Sequence, residues 1–103
     1  MISTFDEKDP AESVVLTFDF SPGLASGETL TGTITVDVSM ALGTDATPTA
    51  LLNGAASFDA SNTRVLQPVK AGVQDANYLL KVTCATTNPK KVLAIAAILP
   101  IRV

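Results

Sequence analysis

The chain has no histidine, no tryptophan and one cysteine, Cys84, among its 103 residues. Without histidine, a Ser-His-Asp or Cys-His nucleophile system cannot be built, and zinc sites of the usual Cys/His type are excluded. A lone cysteine makes no intrachain disulfide, so an oxidising compartment is not implied. Cys84 lies in an apolar strand and reads as a small buried hydrophobe. Positive charge is also scarce: seven Lys and Arg stand against ten Asp and Glu, a net charge of -3. Neutralising phosphates needs clustered basic residues, and here only Lys90 and Lys91 are adjacent. Nucleic acid is therefore excluded as the main partner, and Lys90-Lys91 reads as the solvated end of a hairpin. The longest apolar run, Val92 to Ile101, is broken by Pro100 and falls far short of the ~20 residues of a spanning helix. The N-terminus is acidic where a signal peptide is basic, so the sequence predicts a chain made in the cytoplasm with no membrane partner. The phosphate-cradling motifs G-x-x-x-x-G-K-[ST] and G-x-G-x-x-G and the nucleophile elbow G-x-S-x-G are all missing. No enzyme and no cofactor is expected.

What is present is aliphatic. The composition is 47% hydrophobic and 17% charged, with five aromatic residues, a globular balance in a length that suits one domain. A chain of this size buries roughly 65% of the surface its unfolded form exposes, enough to fold without metal or disulfide. The mean hydropathy of +0.35 fits an aliphatic β core, and equally a subunit whose apolar surface is completed by neighbours.

Period-two alternation organises the chain, because successive residues of a strand face opposite sides of the sheet. Residues Met1 to Ala11 read as an extended arm: Asp6, Glu7 and Asp9 repel one another and Pro10 lacks a ladder donor. Ile2 and Phe5 are its apolar exceptions, placed either against the protein's own core or on a neighbouring subunit. A strand over Glu12 to Phe20 turns Val14, Leu16, Phe18 and Phe20 inward; Pro22-Gly23 and Gly27 punctuate the next reversals. A second strand, Thr29 to Val38, sets Leu30, Ile34, Val36 and Val38 against a threonine row, with Gly32 marking a bulge or a close approach. Ser39 to Pro48 reads as mostly loop, Thr49 to Leu52 as a short strand, and Asn53-Gly54 as a two-residue hairpin with Ala55 to Ala60 pairing back. Thr63 to Val69 reads as an edge strand, since Pro68 cannot donate. Asp75 to Thr86 places Tyr78, Leu80, Val82 and Cys84 on one face. Lys90 to Val103 returns as the last strand, apolar on both faces from Val92 to Leu99. Such a strand is either covered on both sides or aggregation-prone, and cover by an assembly partner is the favoured reading. About seven short strands with turn signals every 8–12 residues predict an all-β fold, an immunoglobulin-like antiparallel β-sandwich over residues 12–103 preceded by the arm of residues 1–11. Tyr78, at the start of the penultimate strand, suits a tyrosine corner.

Two carboxylate sets could carry chemistry. Asp19 and Asp37 on wet strand faces would have to meet to act as acid and base, yet a sugar cleft lined with aromatics is missing. Asp6, Glu7, Asp9 and Glu12 lack the D-x-D-x-D-G spacing of a calcium loop. Both sets read as solvated charge, and no metal site is expected.

The order Lys8-Asp9-Pro10, Glu12, an alternating run closing on Asp19-Phe20-Ser21, then Leu24 and Gly27-Glu28-Thr29-Leu30 resembles a family of small tailed-bacteriophage virion proteins, the fibre-tail adaptor or neck (head-tail joining) proteins. Their starts read K-D-P-x-E, a strand closing on Asp-Trp or Asp-Phe, a leucine, then Gly-Asp/Glu-Thr-Ile/Leu. Thr63 to Leu66, a glycine-bearing linker, Tyr78 with its strand and a hairpin closing on Ile101-Arg102-Val103 follow the family's order. Phe20 stands where tryptophan is common, and Val92 to Leu99 is more apolar than the family's last strand. The resemblance implies a structural adaptor of a phage virion, assembled in the host bacterial cytoplasm and copied around a ring, with portal or connector, tail and fibre subunits as partners. Its contact material is expected in the arm (Ile2, Phe5, Asp6, Glu7, Asp9, Glu12) and the terminal strand (Ile95, Ala97, Leu99, Ile101), with strand addition at a free edge as one joining mode. Two other readings stay open: a capsid decoration protein, distinguished by copy number, and a glycan-binding module, which the missing tryptophan disfavours.

Overall fold

The structure, a computed structural model, describes residues 2–103; Met1, the first residue of the expected arm, lies outside the described residues. Seven strands form: β1 (Ile2–Thr4), β2 (Val14–Asp19), β3 (Leu30–Leu42), β4 (Ser57–Phe58), β5 (Arg64–Val69), β6 (Asn77–Thr86) and β7 (Val92–Pro100). They make two sheets, a four-stranded one in the order β1-β7-β6-β3 and a three-stranded one in the order β2-β5-β4. Every pairing is antiparallel except β1 with β7. The fold is an all-β, two-layer sandwich. The molecule measures 41 × 23 × 21 Å, a length that one 13-residue strand at about 3.3 Å per residue nearly spans.

β6 supplies the centre. Tyr78, Leu80, Val82 and Cys84 are at most 1% exposed, the alternate residues of a strand paired on both sides. Leu16, Phe18 and Phe20 meet them from the three-stranded sheet. The threonine row of β3 faces solvent, and a register shift between Thr31 and Ile34 brackets Gly32. Gly32 holds φ +79° there, so the bulge uses the one residue without a Cβ penalty.

Several expectations are corrected. β3 runs on to Leu42 rather than ending at Val38, because Ser39, Met40 and Leu42 keep pairing with Leu79, Tyr78 and Asn77. Pro48–Leu51 is a 3-10 turn and not a strand; only Leu52 bridges, to Val69. Ser57 and Phe58 pair with β5 instead of folding back on that turn. β5 is the middle of its sheet rather than an edge. Pro68 is tolerated because its nitrogen points away from β2: the carbonyl on that side accepts from Asn53 N at 3.0 Å, and a strand residue directs both polar groups the same way. Asp19 and Asp37 do not meet, since β2 and β3 belong to different sheets. Asp19 instead lies 3.7 Å from Arg64, and Asp37 stands opposite Lys81.

The tyrosine corner is present. Val73 N donates to the Tyr78 phenol oxygen at 2.9 Å, five residues upstream, and that hydroxyl donates to Asp45 Oδ2 at 2.6 Å. The phenol and the Thr47 N–H hold the Asp45 carboxyl below its ordinary value, while burial, with Asp45 beside it, raises that of Tyr78. A carboxyl held low in the folded state stabilises fully above its unfolded value and loses that contribution as pH falls through the folded one. Stability should therefore be level near neutrality and fall below about pH 4. Tyr78→Phe should cost about 1–3 kcal/mol by denaturant unfolding, through the stranded Val73 N–H. It should also flatten the acid loss, because Asp45 no longer has the phenol to keep.

Candidate protein interface

The K-D-P-x-E motif builds a turn that fastens the N-terminal segment. Lys8 is 2% exposed, and its ammonium donates to the carbonyls of Ala71 at 2.6 Å and Asp9 at 2.9 Å. Burial pushes its pKa down, against the opposing pull of Glu12 and Asp9. Around it, Asp9 N donates to Glu12 Oε1 and Ala11 N to Asp9 Oδ1, each at 2.8 Å, and Glu12 N returns to Asp9 O at 2.9 Å. The backbone of Lys8 donates to Pro100 O and accepts from Arg102 N. Its partner loop is itself fixed: Ala71 holds φ 53°, and at Gly72 a Cβ would come within 2.9 Å of Ile101.

The expected arm is thus part of the sandwich. Ile2 to Thr4 pair in register with Ala96 to Ile98 of β7, although the side chain of Ile2 lies outside the described set. Phe5 is half-buried and meets Phe18 edge to face at 5.3 Å; it tucks against its own core. Asp9 and Glu12 each lend a carboxylate oxygen to the turn, and Asp6, Glu7 and Glu12 are exposed.

The terminal-strand residues fall on the other side from the one expected. Ala97, Leu99 and Ile101 are 2%, 1% and 0% exposed, so these three form no surface, while Ile95 is half-buried against the same core. The outer face belongs to the even positions: Val92 at 64% exposure, Ala94, Ala96 and Ile98. Leu79 of β6 stands in register beside Ile98, with Ser39 beyond it on β3. Alternation alone marks this apolar face, once one inward residue of β7 is known.

A groove of about 390 Å³ opens between the arm and β2, lined by Phe5, Val14, Leu16 and Leu99 and rimmed by Asp6, Glu7 and Glu12. Sequence reasoning passed over Val15 and Thr17 on its β2 side; Val15 is 58% exposed. Charge is distributed unevenly. Six of the ten carboxylates and three of the seven basic side chains lie at the end where Lys8, the Val69–Asn77 connection and the β3 C-terminus meet. The whole net charge of -3 therefore sits at one end. The opposite end carries the hairpin tip with exposed Lys90, and Lys91 bonded to Glu28 at 2.7 Å. Among the described residues, no group of three or more His, Cys, Asp or Glu is placed to hold a metal, and no helix is long and apolar enough to cross a membrane.

A family model described as "Podophage GP4 fiber-tail adaptor protein gp77" matches residues 8–94. No curated protein and no solved structure gives a significant match. The matched span begins at the buried lysine and runs through β2 to β6 into β7. Lys8→Met, which keeps the stem and removes the ammonium, should cost about 1–3 kcal/mol because two carbonyls lose their donor. Amide exchange should rise at Phe5 and Lys8 before it rises in β6, as resolved by hydrogen-exchange NMR.

Proposed function

Since the chain belongs to the podophage GP4 fibre-tail adaptor family, we propose that it is a non-catalytic subunit of the phage particle that joins tail fibres to the tail, at the fibre base or neck. The observation that carries this reading is the family match over residues 8–94, which spans most of the chain. Copies of the subunit form a ring on the tail or its connector, assembled in the host cytoplasm, and act through surface contact alone. The outer face of the four-stranded sheet supports this: Leu79 of β6 and Ala96 and Ile98 of β7 make an apolar patch on a face that a lone soluble domain would keep polar. The immunoglobulin-like assignment is supported by strand order. β2-β5-β4 take the places of strands B-E-D, β3-β6-β7 those of C-F-G, and Tyr78 fills the corner position.

Immunogold electron microscopy of intact particles with antibody against the chain tests the reading. Label confined to the fibre base or head-tail junction is expected. Label spread over the head would make the chain a decoration protein, and bare particles would remove it from the virion. Ala96→Glu on the outer face, opposite Lys81, should change unfolding free energy by no more than about 0.5 kcal/mol. It should nevertheless lower the amount of chain recovered with purified particles, measured by quantitative blot.

A further inference from the structure

The free edge of β2 is shaped for a further strand. Phe20 N donates to Thr63 O, so the alternate residues Phe18, Leu16 and Val14 direct their backbone groups to β5. Val15 and Thr17 therefore direct theirs outward, into the groove, and among the described residues β2 pairs with β5 alone. The other edges offer less. β1 and β4 span three and two residues, and β3 is interrupted by two register shifts, a device that discourages pairing. Beside β2 the floor is apolar, from Phe5, Val14, Leu16 and Leu99, and the rim is acidic, from Asp6, Glu7 and Glu12. Among the described residues lining the groove, the one ammonium, that of Lys8, is already committed to two carbonyls.

We propose that this groove receives an extended, lysine- or arginine-bearing segment of another virion protein, added as a strand beside β2. Three features together define that occupant. The outward N–H and C=O of Val15 and Thr17 supply ladder bonds, the apolar floor takes alternate side chains, and the acidic rim pairs with the cations between them. The acidic end as a whole draws a basic segment in and fixes its position more than it adds to raw affinity. The virion source of the segment rests on the adaptor reading; the chemistry of the groove does not.

The test uses the full chain and a synthetic peptide of alternating lysine and valine, with a glutamate-valine peptide as control, followed by amide NMR and hydrogen exchange. The lysine peptide should protect the amides of Val15 and Thr17, bind more weakly as salt is raised, and lose roughly tenfold in affinity to the D6K/E7K variant, whose two exposed sites leave the fold intact. Equal binding of both peptides, protection elsewhere, or no protection at these two amides would overturn the proposal. So would their protection in the concentrated protein alone, because a second copy would then occupy the edge. A chain found at the fibre base that ignores the lysine peptide loses this proposal and keeps its adaptor role. A chain absent from particles that still binds the peptide keeps the groove chemistry and loses its virion source.

Discussion

A strand bonded on both sides holds its inward face against the opposite sheet. Of the strands so placed, β5, β6 and β7, it is β6 on which the core is centred. It pairs with β3 across one flank and β7 across the other, and its four inward residues Tyr78, Leu80, Val82 and Cys84 are closed off from water. The three-stranded sheet is placed by this surface: Leu16, Phe18 and Phe20 pack where β6 leaves apolar area to cover. Tyr78 is the single polar group admitted to the row, and its hydroxyl is fully used by Val73 and Asp45. A phenol in that position without partners would carry the cost of a buried unsatisfied group. The loop from Lys70 to Ala76 is therefore shaped around the end of β6, with left-handed backbone at Ala71 and Asp75.

The same loop holds the N-terminal segment. Ala71 turns its carbonyl toward Lys8, and burying an ammonium is tolerable only because two carbonyls receive it. What the sequence presents as a charged lead-in is thus a fastening. The carboxylates of Asp9 and Glu12 close the turn, and Glu12 stays exposed beside Asp6 and Glu7. Within one acidic cluster, the backbone N–H groups within reach decide which carboxylates also shape the turn.

Alternation made β2, β3 and β6 legible, since each couples a half-buried face to a visibly different one, while β7 showed as a strand by its continuous apolar run. The middle of the chain was not legible because its signals compete. Asn53-Gly54 suits a hairpin, yet the 3-10 turn at Pro48–Leu51 ends on Leu52 bridging to Val69, and that fixes the path first. Pro68 argues for an edge only if its nitrogen faces a would-be partner, a direction set by pairing and not by composition. For β7 the difficulty is of another kind. With Val, Leu, Ile and Ala on both faces, nothing in the local sequence says which parity is inside. Ile95, Ala97, Leu99 and Ile101 read as contact material, and the structure buries Ala97, Leu99 and Ile101 inside the subunit with Ile95 half-buried beside them. The groove beside β2 depends on which hydrogen bonds are already spent, and that is invisible before the sheets form.

An adaptor has to meet unlike neighbours, and a subunit that does so needs contact surfaces that do not overlap. The outer face of the four-stranded sheet is apolar and nearly uncharged along β7, whereas the β2 groove sits on the flank of the acidic end. Apolar contact is non-directional and scales with area; strand addition is directional and reads register. Assigning the first to a repeated neighbour and the second to a distinct partner gives each surface the task its physics suits. On the proposed assignment the neutral, lysine-tipped end takes no part in either. The charge asymmetry would then orient the subunit with its acidic end toward the protein that carries the basic segment.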